Sequence, residues 1–320
     1  MFDIISIGAL DLDTVLRIGK YPKRGGNTFI KSFERYIGGP AANFAICASK
    51  LGLKTCLLSK IGTDAAGEFL MKRLSEYKLL DITKLILDEQ RKTSMVFSVV
   101  DEGGERTFFA FFEDSAIACF EEEEVDPDLI TTGRLLFSDG AVFFLREARR
   151  ALLRAMEIAK AMEIKVLFDP NVRIEHALPA DQKKAYISAT KLTDILCLGE
   201  EEALLLTQKS NPEAAAEDLL VLGPEIICLK LGPKGSMVVS QNESFYAPPF
   251  NDIECVDATG AGDVYNAGVA YGYLKGLPLK QLGVFANAVG ALKVSRFGAS
   301  SCPSLKEVLN FLQRHHINDY

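Results

Sequence analysis

No stretch of the 320 residues approaches the roughly 18 consecutive apolar positions that a membrane-spanning helix requires. Basic residues never gather in a block of five or six, and the net charge is −7, so binding to nucleic acid by phosphate neutralisation is disfavoured. The seven cysteines form no C-x-x-C pair. Most have a small or apolar neighbour, which predicts reduced thiols packed in a core. The three histidines (His176, His315, His316) have no cysteine or carboxylate partners in zinc-finger spacing. A dinucleotide fold of the dehydrogenase type is disfavoured as well, because no G-x-G-x-x-G follows the first strand. The opening MFDIISIGALDLD carries Asp3 where a signal peptide would carry basic charge, so a cytoplasmic location is expected.

What is present reads as a folded α/β domain. Charged residues make up 25% and hydrophobic residues 48% of the chain, with no internal repeat, low-complexity tract or linker, so one domain spanning 1–320 is expected. Short apolar runs alternate with amphipathic stretches. FDIISIGAL (2–10), TCLLSKIG (55–62), RLLFSDG, KVLFDPN, DILCLG and EIICLKLG read as buried strands. Residues 41–51, 65–77, EARRALLRAMEIAKAM, the region of DQKKAYISAT, and EEEALLLT read as helices. The alternation predicts a doubly wound, mostly parallel sheet with helices on both faces. Two segments break it. Residues 92–112 form two strands about Asp101-Glu102-Gly103-Gly104, and 12–36 is extended and polar, so a small β-sheet lid over a site is expected.

The most informative motif is Asp257-Ala258-Thr259-Gly260-Ala261-Gly262-Asp263, followed by the helical VYNAGVAYGYL. Glycines where a loop enters a helix let backbone N–H groups approach an anion, and Asp263 falls beside them. A carboxylate there can take a hydroxyl proton while the N–H groups stabilise charge on a transferred phosphoryl group. From spacing alone, a helix-capping aspartate explains the pattern equally well. A second motif, Gly38-Gly39-Pro40-Ala41-Ala42-Asn43-Phe44-Ala45, lies far upstream.

Together the two motifs resemble the C-terminal D-x-T-G-A-G-D and N-terminal G-G-x-x-x-N-x-A signatures of the PfkB (ribokinase-like) carbohydrate kinases, in the family's order. The resemblance covers almost the whole chain. It implies a kinase that uses ATP and Mg²⁺, with Asp263 as general base and the backbone of Gly260, Ala261 and Gly262 as anion hole. It implies that Asp11, Asp13, Gly39 and Asn43 hold the sugar, and that Asn171 and Arg173, in the fructokinase-like D-P-N-V-R, face the phosphates or the sugar. Lys230-Leu231-Gly232-Pro233-Lys234-Gly235 resembles the turn beneath ATP, with Lys230 in place of the usual Thr. Asn287 stands where the family often contacts the adenine region. Glu202 carries over from an N-x-x-E magnesium motif whose Asn is here Gly199, and would act through water. Asp257 and Thr259, with Ser295 and Gly298, fall in loops that bind K⁺ in some members.

For the substrate, Glu113, Asp114 and Asp139, added to Asp11 and Asp13, suggest a pocket repelling anionic sugars, and D-P-N-V-R suggests a fructokinase-like enzyme acting on a neutral sugar. Ribokinase, 2-keto-3-deoxygluconate kinase and nucleoside kinase are the alternatives, the last because Phe97, Phe109 and Phe111 offer stacking surfaces. A catalytically silent sugar- or nucleotide-binding protein is the alternative outside enzymology. Lid sheets in this family often pair between subunits, which implies a homodimer.

Overall fold

The computed structural model describes residues 1–172, 178–317 and 320. Arg173 therefore lies outside the described residues. A nine-stranded sheet runs in the order Ser244–Ala247, Ser236–Ser240, Ile226–Lys230, Ile195–Gly199, Lys165–Asp169, Gly133–Asp139, Phe2–Ile7, Thr55–Leu58, Leu80–Asp81. The strands from Ile226–Lys230 to Leu80–Asp81 pair in parallel, and at the first edge Ser236–Ser240 runs antiparallel to both Ile226–Lys230 and Ser244–Ala247. The central strands are apolar on both faces because helices cover both. Ile4, Leu135 and Phe137 join one buried cluster with helices Pro40–Lys50, Ala261–Leu274 and Leu279–Val294. Ile5, Ile7 and Leu136 join the other with helices Arg146–Ala161, Ala180–Lys191 and Pro212–Val221. The period-2 alternation of the strands thus sorts side chains into two layers of core.

The smaller sheet has four strands, in the order Ile30–Gly38, Asp11–Ile18, Met95–Val100, Arg106–Phe111. Two antiparallel hairpins are joined by parallel pairing of Asp11–Ile18 with Met95–Val100. This is the sheet expected from 12–36 and 92–112, with slightly different bounds.

Some element limits differ from the sequence reading. The first strand stops at Ile7, and the chain turns through Gly8 into the smaller sheet at Asp11. The run 55–62 splits at Ser59, whose hydroxyl donates to the Gly8 carbonyl (2.7 Å); its second part pairs with Ile86–Asp88 instead of the main sheet. Cys47, Cys56, Cys197, Cys228 and Cys302 are buried free thiols, Cys119 is half-buried, and Cys255 is exposed, so the expectation of core packing does not extend to Cys255.

Helix Pro40–Lys50 explains the N-terminal motif. Pro40 suits the first helical position, and every residue from Pro40 to Ser49 is buried. Gly39 precedes it at φ 89°, where an added Cβ would run into the Ala9 carbonyl oxygen. Only glycine lets this helix dock so close to the end of the first strand. Asn43 is carried one turn in, facing the C-terminal motif.

Candidate active site

Asp263 occupies the third position of helix Ala261–Leu274, whose N-cap is Gly260 at φ 76°. A Cβ on Gly260 would lie 2.5 Å from the Ala299 carbonyl oxygen, so both the backbone conformation and the close packing require glycine. The first-turn N–H groups and the helix dipole there favour negative charge. Asp263 is buried, and the Asn43 side-chain amide donates to its Oδ2 (2.9 Å) although the two residues are 220 positions apart. The Asn43 Oδ1 is buried and has no hydrogen-bond partner. An orphaned acceptor of this kind is costly unless a ligand hydroxyl supplies the donor.

Beside Asp263 a cavity of about 200 Å³ is lined by Asp169, Asn171, Glu202, Lys230, Gly260 and Gly262. It lies at the carboxyl ends of the parallel strands, where such sheets bind ligands. Asp169 organises its floor. Its Oδ2 accepts from the Lys230 ammonium and from the Asn266 amide (2.6 Å each), and its Oδ1 accepts from the Asn171 backbone N–H (3.1 Å). Burial alone would lower the Lys230 ammonium, but the charges of Asp169 and Glu202 outweigh it and raise its pKa. Glu202 closes the first turn of its helix by accepting from Gly199 N–H (2.5 Å), and reaches across to Val172 N–H (2.6 Å). Burial, with the Asp169 charge, raises the Glu202 carboxyl. Among the described residues no three His, Cys, Asp or Glu side chains cluster as a metal cage. The oxygens of Glu202 and Asp169 instead suit a hard cation that keeps its water and shares phosphate ligands, which is how Mg²⁺ usually binds beside nucleotides.

Asp139 lies buried below this floor and accepts from the Ala9 (3.4 Å) and Ala141 (3.0 Å) N–H groups. Burial, helped by the charges of Asp263 and Asp169, pushes its carboxyl up to about 8. Asp11 is buried and accepts from the Ser94 hydroxyl.

A second cavity, of about 240 Å³, opens between the inner face of the small sheet and the loops around Asp257 and Gly298. Asp13, Arg17, Glu34, Arg106, Asp257 and Thr259 are among its lining residues. Arg106 reaches from the small sheet to Asp257 Oδ1 and Thr259 Oγ1, 3.3 Å each. Glu113 and Asp114 do not line either cavity. Both are exposed, and Asp114 pairs with Arg91. These two residues therefore add no charge to either cavity; in the second, the carboxylates of Asp13, Glu34 and Asp257 stand with Arg17 and Arg106. Of the aromatics near the lid, Phe108 lines it, whereas Phe97, Phe109 and Phe111 do not.

The remaining candidate residues sit to one side. Gly232 and Gly235 bracket a single 3₁₀ turn, and the Asn287 amide donates to the Ala247 (2.9 Å) and Pro248 (3.1 Å) carbonyls. Gly235 packs on that same segment, so these residues shape a common piece of backbone outside both cavities. The sequence reading assigned no role to Asp169, Asn266, Arg106 or Lys293. Asn266 could have been noticed as a polar residue three positions after Asp263 in an otherwise apolar helix.

A buried carboxylate beside a helix N-terminus, with oxygen and lysine side chains across a cavity, is an arrangement that can support phosphoryl transfer. The model of the pfkB family carbohydrate kinases matches residues 1–306, and the chain belongs to that family. It is 27% identical to a 5-dehydro-2-deoxygluconokinase of Shouchella clausii over 99% of this chain and 97% of that one. It is 29% identical to a nucleoside kinase of Methanothermobacter thermautotrophicus, over 93% and 91%. Among solved structures, it resembles an E. coli chain proposed to be a ribokinase II, in complex with ATP and Mg²⁺. The TM-score there is 0.88 at 28% identity, covering 98% of this chain and 100% of that one. The fold is ribokinase-like and the enzyme is a carbohydrate kinase. Among the described residues no helix is long and apolar enough to cross a membrane.

Proposed function

We propose that this kinase transfers the γ-phosphoryl group of ATP to a hydroxyl of a small sugar, with Asp263 taking the hydroxyl proton. The observation that carries this reading is the Asn43–Asp263 hydrogen bond beside the Gly260–Gly262 helix start. It brings the two distant motifs together at one reacting position. Asn43 orients the carboxylate and offers its orphaned Oδ1 to the sugar. Asp11, Asp13 and Gly39 complete the sugar side of the site. The backbone of Gly260, Ala261 and Gly262 receives the charge growing on the transferred group, a contribution of about 10²–10³ in rate for one well-aimed donor. Lys230, held by Asp169, supplies positive charge to the phosphates from across the cavity. When bound, Mg²⁺ would neutralise phosphate charge, with Glu202 and Asp169 as its side-chain partners through water. Asn171 lines the phosphate side, and Gly232, Gly235 and Asn287 shape the nucleotide side.

A neutral, fructose-like substrate was the reading from sequence. Arg17 and Arg106 at the second cavity, beside the carboxylates of Asp13, Glu34 and Asp257, extend the reading to a sugar acid of the 5-dehydro-2-deoxygluconate or 2-keto-3-deoxygluconate kind, since guanidinium groups hold carboxylates in bidentate fashion. The small sheet closes over the sugar as a lid and excludes water from the transfer. Phe29, Ile30 and Phe33 at one edge of this sheet, and Phe108 and Phe109 at the other, are exposed, which supports pairing of lids in a homodimer. An ATP-consumption screen tests the reading directly: fructose, ribose, inosine, fructose 6-phosphate and the two sugar acids. ADP release stimulated by a sugar acid above the others is expected. No stimulation by any compound would remove the kinase assignment of the site, and preference for fructose would remove the acid reading.

A further inference from the structure

Lys293 is the one lysine in the largest wholly buried side chains among the described residues. It stands in the last turn of helix Leu279–Val294, where a cation suits the helix dipole, yet a surface cap would remain in water. A buried ammonium is tolerated only where oxygens replace its hydration. Here the Asp257 carbonyl (2.7 Å) and the Arg296 carbonyl (3.5 Å) accept from Nζ. These two carbonyls belong to the two loops in which some relatives hold a monovalent cation.

The rest of that site is also occupied by protein donors. Asp257 Oδ1 accepts from Thr259 N–H (3.1 Å), from Thr259 Oγ1–H (2.7 Å) and from Arg106. Its Oδ2 accepts from Gly298 N–H (3.0 Å). The Ser295 hydroxyl turns back to the Leu292 carbonyl (2.8 Å). Oxygens that would surround K⁺ thus already face an ammonium, a guanidinium and backbone N–H groups. The residues present do not fit K⁺.

We infer that the Lys293 ammonium, close to K⁺ in size and charge, is a built-in replacement for a monovalent cation, making this kinase independent of K⁺. Lys293 is a positioning residue, acting through the backbone. It ties Asp257 to Arg296, the Gly298 N–H ties the same loop to Asp257, and Ala299 then packs directly against Gly260 at the start of the anion hole. The charge therefore sets where the phosphate-binding N–H groups point.

The inference rests on the kinase reading of the site, and its test separates the two. Mg-ATP affinity of the full chain is measured by titration calorimetry in choline chloride and in KCl at equal ionic strength. The wild type is expected to change less than about twofold between the salts. Lys293→Met, which fills the space without the charge, should bind Mg-ATP about tenfold more weakly in both salts. Lys293→Ala, which vacates it, should be weak in choline and recover most of its affinity in KCl. Wild-type binding that strengthens severalfold with K⁺ overturns the inference, and this arm needs no variant to fold. A folded Lys293→Met with unchanged affinity overturns it too, as does a weakened Lys293→Ala that K⁺ does not restore. Wild type that binds no Mg-ATP in either salt overturns the kinase reading itself, and the inference with it.

Discussion

The floor of the candidate site and the small sheet proposed as its lid are built from opposite materials. On the floor, Asp169, Asn266, Lys230 and Glu202 are tied by short hydrogen bonds to one another and to backbone, and Asp263 is held by Asn43. In the small sheet, Phe29, Phe33, Phe108 and Phe109 are exposed, and Arg106 reaches from it to Asp257 and Thr259 in the loop before helix Ala261–Leu274. A floor whose charged groups are held by hydrogen bonds, with Asn43 Oδ1 and Asn266 Oδ1 left as open acceptors, is ordered before substrate arrives, which is what electrostatic stabilisation of phosphoryl transfer requires. A sheet with little buried apolar area belongs to the low-stability end of a fold and can move without unfolding the rest. We therefore propose chemistry for the floor, and substrate choice and closure for the small sheet.

The contrast breaks if floor substitutions are cheap. Asp169→Ala leaves the Lys230 ammonium without its partner, and thermal or denaturant unfolding should show a loss of about 3 kcal/mol or more. Gly260→Ala places a Cβ against Ala299 at a positive φ, and should cost about 1–3 kcal/mol together with most of the turnover. The floor should also respond to pH. Asp139 has its pKa raised from 3.8 to about 8 in the folded protein, so the folded state holds the proton more tightly. The stability this gives is fully present below about pH 4 and is lost as pH rises toward 8. Wild type should lose melting temperature across that window relative to Asp139→Asn, which keeps a neutral side chain throughout; parallel curves would remove Asp139 from the account. In the lid, Phe33→Ser should change unfolding free energy by no more than about 0.5 kcal/mol while weakening self-association in sedimentation. Arg106→Ala should raise the KM for a sugar acid more than that for a neutral sugar. A large stability loss from either lid change would erase the distinction between the two regions.

Much of the framework is readable from local pattern. Strand runs ending in glycine or aspartate, and the helices expected over 41–51 and VYNAGVAYGYL, which the structure starts at Pro40 and Ala261, follow from period and from backbone chemistry confined to a few residues. Asp263 and Asn43 could be named because each lies in a compact glycine-rich motif. Lys230 was noticed only as an unusual substitution, since its partner Asp169 is 61 positions away and nothing local announces the ion pair. Arg106 and Lys293 were missed for the same reason: each meets Asp257 through tertiary packing, across 151 and 36 positions. The position of Glu113 and Asp114 outside the cavities has a related cause. Glu113 and Asp114 follow the strand Arg106–Phe111 at its end and point to solvent, whereas the inner face of the lid is set by the register that aligns Arg17 with Val100 and Val100 with Arg106.

The assignment of Asp263 as the base is tested most directly by measuring sugar binding and sugar-dependent phosphoryl transfer side by side in Asp263→Asn. The amide keeps the size of the carboxylate but takes up no proton at neutral pH. The account predicts that transfer falls by about 10²–10⁴ while sugar affinity stays within a few-fold of wild type. Transfer at a near-normal rate in a variant that still binds sugar would contradict it.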